Sequence, residues 1–129
     1  MRRRTILMRR RTILMRRRTV LNNTNETINF IDKINLPHLK LNFDTGTILL
    51  NGNDPIEVYK YSNQYVGHIH ISSPGLKPIS KDMFDHNKFR NILLDHQYNK
   101  GIAVEMLTEK NNLSENIKAA LEILSIYGK

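Results

Sequence analysis

The sequence predicts an α/β domain on a parallel sheet, preceded by a basic repeat arm, and three observations carry that expectation. From Asn22 onward, helical and strand-like patterns alternate as helix, strand, helix, strand, helix, strand, helix. Strands recurring at roughly thirty-residue intervals with helices between them are the pattern of right-handed βαβ units. Each strand-like run also delivers a metal-capable side chain near its C-terminal end: Leu39–Phe43 runs into Asp44, Val66–Ile71 carries His68 and His70, and Ile102–Val104 runs into Glu105. The third observation is the charge, which is not spread over the chain. Residues 1–21 read MRRRTIL, MRRRTIL, MRRRTVL and hold nine of the twenty basic residues with no acid. Twenty less nine leaves eleven basic residues against twelve acidic ones in 22–129, a net of −1 despite the formal +8 of the whole chain.

At 129 residues the chain has one domain's length and falls short of the ~250 residues of an enzyme barrel. It contains no cysteine, which excludes disulfides and thiolate metal sites. No apolar run approaches the ~20 residues that span a membrane. The expected setting is the cytoplasm. The arm is open to three readings. As a helix it would set Ile6-Leu7-Met8 and Ile13-Leu14-Met15 against an arginine face suited to an anionic membrane or nucleic acid. As a targeting signal it lacks both a secretory core and the serines of a transit peptide. As a tandem duplication it is copied sequence, and near-identity at period seven favours that reading. Residues 1–21 are therefore expected to be disordered or an isolated helix, separate from a domain at 22–129.

Within that domain, Asn22-Asn23-Thr24-Asn25 offers N-caps for a helix over about 25–35, where Ile28, Phe30, Ile31 and Ile34 recur at helical spacing before Pro37. The strand 39–43 follows. Asp54 with Pro55 at the first helical position predicts a short helix to about Ser62, then the strand 65–71. The loop 72–85, with Pro74, Gly75 and Pro78, is longer than most connections and reads as a binding loop. Asp85 caps a helix to about Gln97, burying Phe89, Ile92 and Leu93. The turn 98–101 leads into a strand over 102–106. Asn112 or Ser114 begins a last helix whose Ile117, Ala120, Leu121 and Leu124 form one apolar stripe, closed by Gly128. His38, His86 and His96 fall in turns or helices without a partner pattern and read as surface residues.

In a parallel sheet, functional groups gather at the C-terminal ends of the strands. Asp44, His70 and Glu105 are all expected there, and side chains at i and i+2 share a face, so His68 looks the same way as His70. One imidazole and two carboxylates suit Mn²⁺, Mg²⁺, Co²⁺ or Zn²⁺ with positions left for water or substrate oxygens. The competing reading is plainer: an Asp at a strand exit is often a helix cap, and one of two same-face histidines is often a satisfied core residue.

Asn42-Phe43-Asp44-Thr45-Gly46, Val66-Gly67-His68-Ile69-His70-Ile71-Ser72 and Tyr98-Asn99-Lys100-Gly101-Ile102-Ala103-Val104-Glu105 resemble, in order and spacing, the last three strands of the sugar phosphate isomerase/epimerase family with the xylose isomerase-like TIM barrel. The intervals of 26 residues from Asp44 to His70 and 35 from His70 to Glu105 are similar to those between the metal-binding Asp, His and Glu of its ketose 3-epimerases. The resemblance covers about 22–129. It implies the C-terminal three strand-helix units of a (β/α)8 barrel and a metal-assisted proton transfer next to a sugar carbonyl, with a sugar or sugar phosphate as substrate. It also implies Asp44, His70 and Glu105 as ligands, Glu105 as acid/base too, and His68 as support behind His70. Thr47 stands where these epimerases carry a substrate-contacting histidine, Ser73 where a glutamate often follows, and Leu76 where a substrate-binding arginine lies, although the adjacent Lys77 could serve an anionic group. The earlier half of the barrel, with the other glutamate, is not represented.

The leading expectation is thus an isomerase- or epimerase-like protein, truncated and weakly active or inactive alone, that self-associates or meets a partner chain completing the barrel. An inactive fragment comes next. A nucleic-acid binder acting through the arm comes third.

Overall fold

The computed structural model describes residues 12–14, 23–107 and 110–128. Its centre is a four-stranded, wholly parallel sheet in the order β1 (Thr12–Leu14), β2 (Lys40–Asp44), β3 (Val66–Ile71), β4 (Ile102–Val104). The three expected strands are present, and β1 adds a fourth from within the arm. This corrects the expectation of disorder or an isolated helix at those three residues, because Thr12–Leu14 pair with Lys40–Asn42. The rest of the arm, and with it the boundary at 21/22, lies outside the described residues.

The first helix, α1 (Thr24–Ile34), starts on Asn23, whose side chain accepts from the Glu26 amide, and stops at Asn35 in the left-handed region. Its buried side is Thr24, Thr27 and Ile31, so the expected apolar face is corrected: Phe30 and Ile34 are exposed. A helix not anticipated, α2 (Thr45–Leu50), leaves β2 directly with Asp44 as its N-cap. Next comes α3 (Pro55–Ser62), capped by Asp54 with proline in its first turn. The helix α4 (His86–Asp95) has Asp85 accepting from the Lys88 amide, and the chain closes with α5 (Leu113–Tyr127).

The outer face of the sheet is the core. Leu41, Phe43, Val66, Ile69 and Ile71 are fully buried against the helices. Phe43, Tyr59 and Phe89 join β2, α3 and α4, with ring centroids 5.5–5.8 Å apart. Burial pushes the Tyr59 hydroxyl up to about 12. The stripe on α5 is corrected as well. Ile123 is buried and Ala119, Ile126 and Tyr127 pack beside it, whereas Ile117 and Leu121 face outward.

His86 is corrected from surface to buried, its Nδ1 lying 2.7 Å from the Tyr127 hydroxyl across 41 residues. Burial lowers its pKa below the usual imidazole value, opposed in part by the Ser80 backbone and the Asp85 charge. The unfolded chain therefore takes up this proton at higher pH than the folded one, so stability falls as pH drops below ~6.5. Urea midpoints measured from about pH 8 down to pH 5 should decline more steeply for the wild type than for His86→Gln. Parallel declines would show that His86 does not carry the slope.

Candidate metal centre

The register of β2 on β3 builds the site. Leu41 is opposite Val66, the pairing then shifts by one at Gly67, and Asn42, Phe43 and Asp44 lie opposite His68, Ile69 and His70. Gly67 absorbs the shift because a Cβ there would meet the Lys40 Cβ at 2.5 Å. Phe43 and Ile69 face the helices, so Asn42, Asp44, His68 and His70 face inward. Pairing of β3 with β4 puts Ala103 opposite His70. Glu105, two residues on, shares that face, and its amide extends the ladder to the Ile71 carbonyl at 3.0 Å.

Asp44, His70 and Glu105 each offer a ligand atom within 4.8 Å of the other two. His70 Nδ1 is the point of convergence, 2.9 Å from Glu105 Oε2 and 4.0 Å from Asp44 Oδ2. Ligands ~2.1 Å from an octahedral cation stand ~3 Å apart when adjacent and ~4.2 Å apart when opposite. The donor set thus suits a divalent ion, which would take the lone pair of Nδ1 and one oxygen from each carboxylate.

Asp44 and His70 are held from behind. Asp44 Oδ1 accepts from the Thr47 amide and the Ser72 hydroxyl, both at 2.8 Å, which leaves Oδ2 for the site. Asp44 is therefore helix cap and candidate ligand at once. Ser72 Oγ also accepts from the Gly46 amide, while Thr45 Oγ1 accepts from the Ser72 amide and donates to the Ser72 carbonyl. The exits of β2 and β3 are latched by this exchange. His68 stands edge-on to the His70 ring, centroids 5.0 Å apart, with Gly101 closing in behind.

Ser72, Thr45 and Asn42 escaped sequence reasoning. The buried Asn42 places Nδ2 3.4 Å from His70 Nδ1, and its Oδ1 has no partner among the described residues. The available signal was parity, since Asn42 lies two residues before Asp44. Lys77 is exposed just beyond the Pro74–Leu76 turn. In that turn Leu76 adopts φ 58°, an uncommon conformation for a non-glycine residue, and its carbonyl accepts from the Leu107 amide at 2.8 Å, tying the loops after β3 and β4 together.

Comparison with known proteins agrees with the fold. A family model described as xylose isomerase-like TIM barrel matches residues 12–127. Similar solved structures include a 3-keto-D-glucoside 4-epimerase from E. coli, with TM-score 0.72 at 12% identity over 88% of this chain and 44% of that one. A D-psicose 3-epimerase superimposes with TM-score 0.73 at 15% identity over 91% and 48%. A D-allulose 3-epimerase from Methylomonas sp. gives 0.69 at 19% over 91% and 47%. The chain thus spans a little under half the length of each. No curated protein matches by sequence.

The latch yields a direct test. A Cβ on Gly46 would collide with the Ser73 carbonyl and the Ser72 hydroxyl, and the backbone cannot swing aside as a flexible side chain can. Gly46→Ala should destabilise the fold by ~1–3 kcal/mol in denaturant titration. Gly128→Ala, where the new methyl meets only ordinary contacts, should stay within ~0.5 kcal/mol. Equal effects would mean that the two exits are not tightly coupled.

Proposed function

This chain belongs to the xylose isomerase-like TIM barrel family, and we propose from that membership that it is a sugar isomerase- or epimerase-like protein. In this reading Asp44, His70 and Glu105 bind a divalent cation and Glu105 moves a proton next to a sugar carbonyl. The observation that carries the reading is the approach of three ligand atoms to within 4.8 Å of one another at the C-terminal ends of three adjacent parallel strands, where barrel enzymes hold their chemistry.

A bound divalent ion, of the hard or borderline class of Mn²⁺, Mg²⁺, Co²⁺ or Zn²⁺, supplies Lewis-acid polarisation of the carbonyl and the neighbouring hydroxyl. The protein's own residues do the rest. Asp44 is a rigid ligand because its other oxygen is committed to Thr47 and Ser72. His68 packs edge-on against His70 and limits the turn of its ring. Glu105, its side chain a third exposed, is the most exposed of the three, and in this reading its carboxylate takes the proton from the carbon beside the carbonyl. In this reading the exposed Lys77, following the Pro74–Leu76 turn, meets an anionic group such as a sugar phosphate.

A single carboxylate works from one side of the substrate. Inverting a carbon needs a second acid on the opposite side, and a positioned acid or base is worth ~10²- to 10⁴-fold. The 129-residue chain should therefore bind a cation and turn over sugars poorly, because orientation and exclusion of water also need the rest of the barrel wall, from further polypeptide or a partner chain.

Titration with Mn²⁺ should show weak saturable binding. Losing an outer-sphere partner already costs ~10- to 100-fold in metal affinity, so His70→Ala and Asp44→Ala should each weaken it by at least ~10-fold. Turnover on a panel of ketoses and sugar phosphates, with metal added and Glu105→Gln as control, should be at or near background. Unchanged Mn²⁺ affinity in both ligand variants would sink the metal reading. Robust turnover abolished by Glu105→Gln would show a second acid supplied from elsewhere.

A further inference from the structure

We propose that two copies of this chain close into one eight-stranded barrel, with β4 and α5 of each copy joined to β1 and α1 of the other. The inference names the partner left open above. It rests on the barrel-wall reading of the fold and not on the metal.

The sheet has the right extent. Its end strands, β1 and β4, each have one neighbour among the described residues, and all four strands are parallel. They superimpose on epimerases of which this chain covers 44–48%, so the four strands follow about half of a wall that needs eight. A half-turn about the barrel axis preserves strand direction. It therefore sets β4 of one copy parallel to β1 of the other at both seams, and the ring closes after two copies.

The helices support the same closure. On the outer layer α1 packs against α3, α3 against α4, and α4 against α5, so α1 and α5 are the end helices. The flanked helices α3 and α4 each expose a single large apolar side chain, Tyr61 and Leu94. The end helices expose rows of them. Phe30 (39% exposed) and Ile34 (44%) stand one turn apart on α1, and Leu113 (48%), Ile117 (49%) and Leu121 (61%) stand on successive turns of α5. An apolar row that no neighbour covers marks an association surface. One chain carries both halves of the seam, the two rows and the two open strand edges, so a second copy satisfies all four without another component. Each copy keeps its own Asp44, His70 and Glu105, and the partner subunit's Glu105 belongs to the partner's own triad.

The 129-residue chain should sediment as a dimer, at twice 15.1 kDa. Leu121→Glu and Phe30→Lys should each raise the dissociation constant by at least ~30-fold, as a charge placed in the centre of an apolar seam does. Mixing the two variants should restore most of the dimer, because one seam then sets Glu against Lys and the other is wild type. An α5-to-α5 dimer behaves differently, since Phe30→Lys would leave it intact. Should a variant precipitate, the absence of native cysteine allows a second measurement. A Phe30→Cys chain mixed with a Leu121→Cys chain should cross-link through a short bis-maleimide, and Leu121→Cys alone should not. A monomer, an open-ended series of oligomers, or cross-linking of Leu121→Cys to itself would overturn the proposal. None of these readouts depends on metal. A monomer that binds Mn²⁺ removes only this inference, and a dimer that does not bind it removes only the functional one.

Discussion

The carboxylate of Asp44 is the joint on which the candidate centre turns. Its two oxygens have separate duties: Oδ1 is saturated by the Thr47 amide and the Ser72 hydroxyl, and Oδ2 faces His70. Hydrogen bonds to a charged acceptor contribute ~1.5–3 kcal/mol each, enough to hold the side chain in one rotamer. The same bonds start α2 and fasten the exit of β2 to that of β3. A residue that caps a helix is thus also a fixed candidate ligand, and the two readings of Asp44 open in the sequence are compatible in one arrangement.

Register carries that order across the sheet. Without the shift at Gly67, Asp44 would stand opposite Ile69, and His68 and His70 would turn to the helix-covered face. With it, Val66 joins the core while His68 and His70 look inward. The apolar outer face sets this choice. Phe43, Ile69 and Ile71 are fully buried in the core, and at ~1.5–3 kcal/mol for each such side chain the row together exceeds what any one inward polar contact returns. The core fixes the sheet, and the polar inner face follows from it.

Much of this was legible because it depends on local periodicity. The inward parity of His68 and His70, the positions of Asp44 and Glu105 at strand exits, and the caps Asn23, Asp54 and Asp85 need only neighbours within a few residues. What escaped depends on distant partners. His86 looked like a lone surface imidazole because the group that buries it, Tyr127, is 41 residues away. On α5 the stripe Ile117, Ala120, Leu121 and Leu124 is the more apolar one, yet the helix turns Ile123 and Asn116 inward, since contact with α4 and β4 sets its rotation. Likewise α2 is not anticipated, because six residues beginning directly on a strand end leave no periodic signal. The strand in the arm escaped because MRRRTIL repeats have no parity contrast, and β2 beside them supplies the pairing.

The same separation of local from distant bears on chemistry. Three ligands on three consecutive strands need only the pairing of β2, β3 and β4, so cation binding is a property of a part of the wall. Proton transfer to both faces of a substrate is a property of the closed ring, because the opposing acid must come from across the lumen. An open sheet of this kind can therefore keep the first function without the second. Closure by a half-turn would shield the lumen from water and cover the end helices. It would do so by repeating the same triad on the far side and not by adding a different acid. Binding, closure and turnover are thus three separable demands on this chain, and the candidate ligands that already lie together bear only on the first.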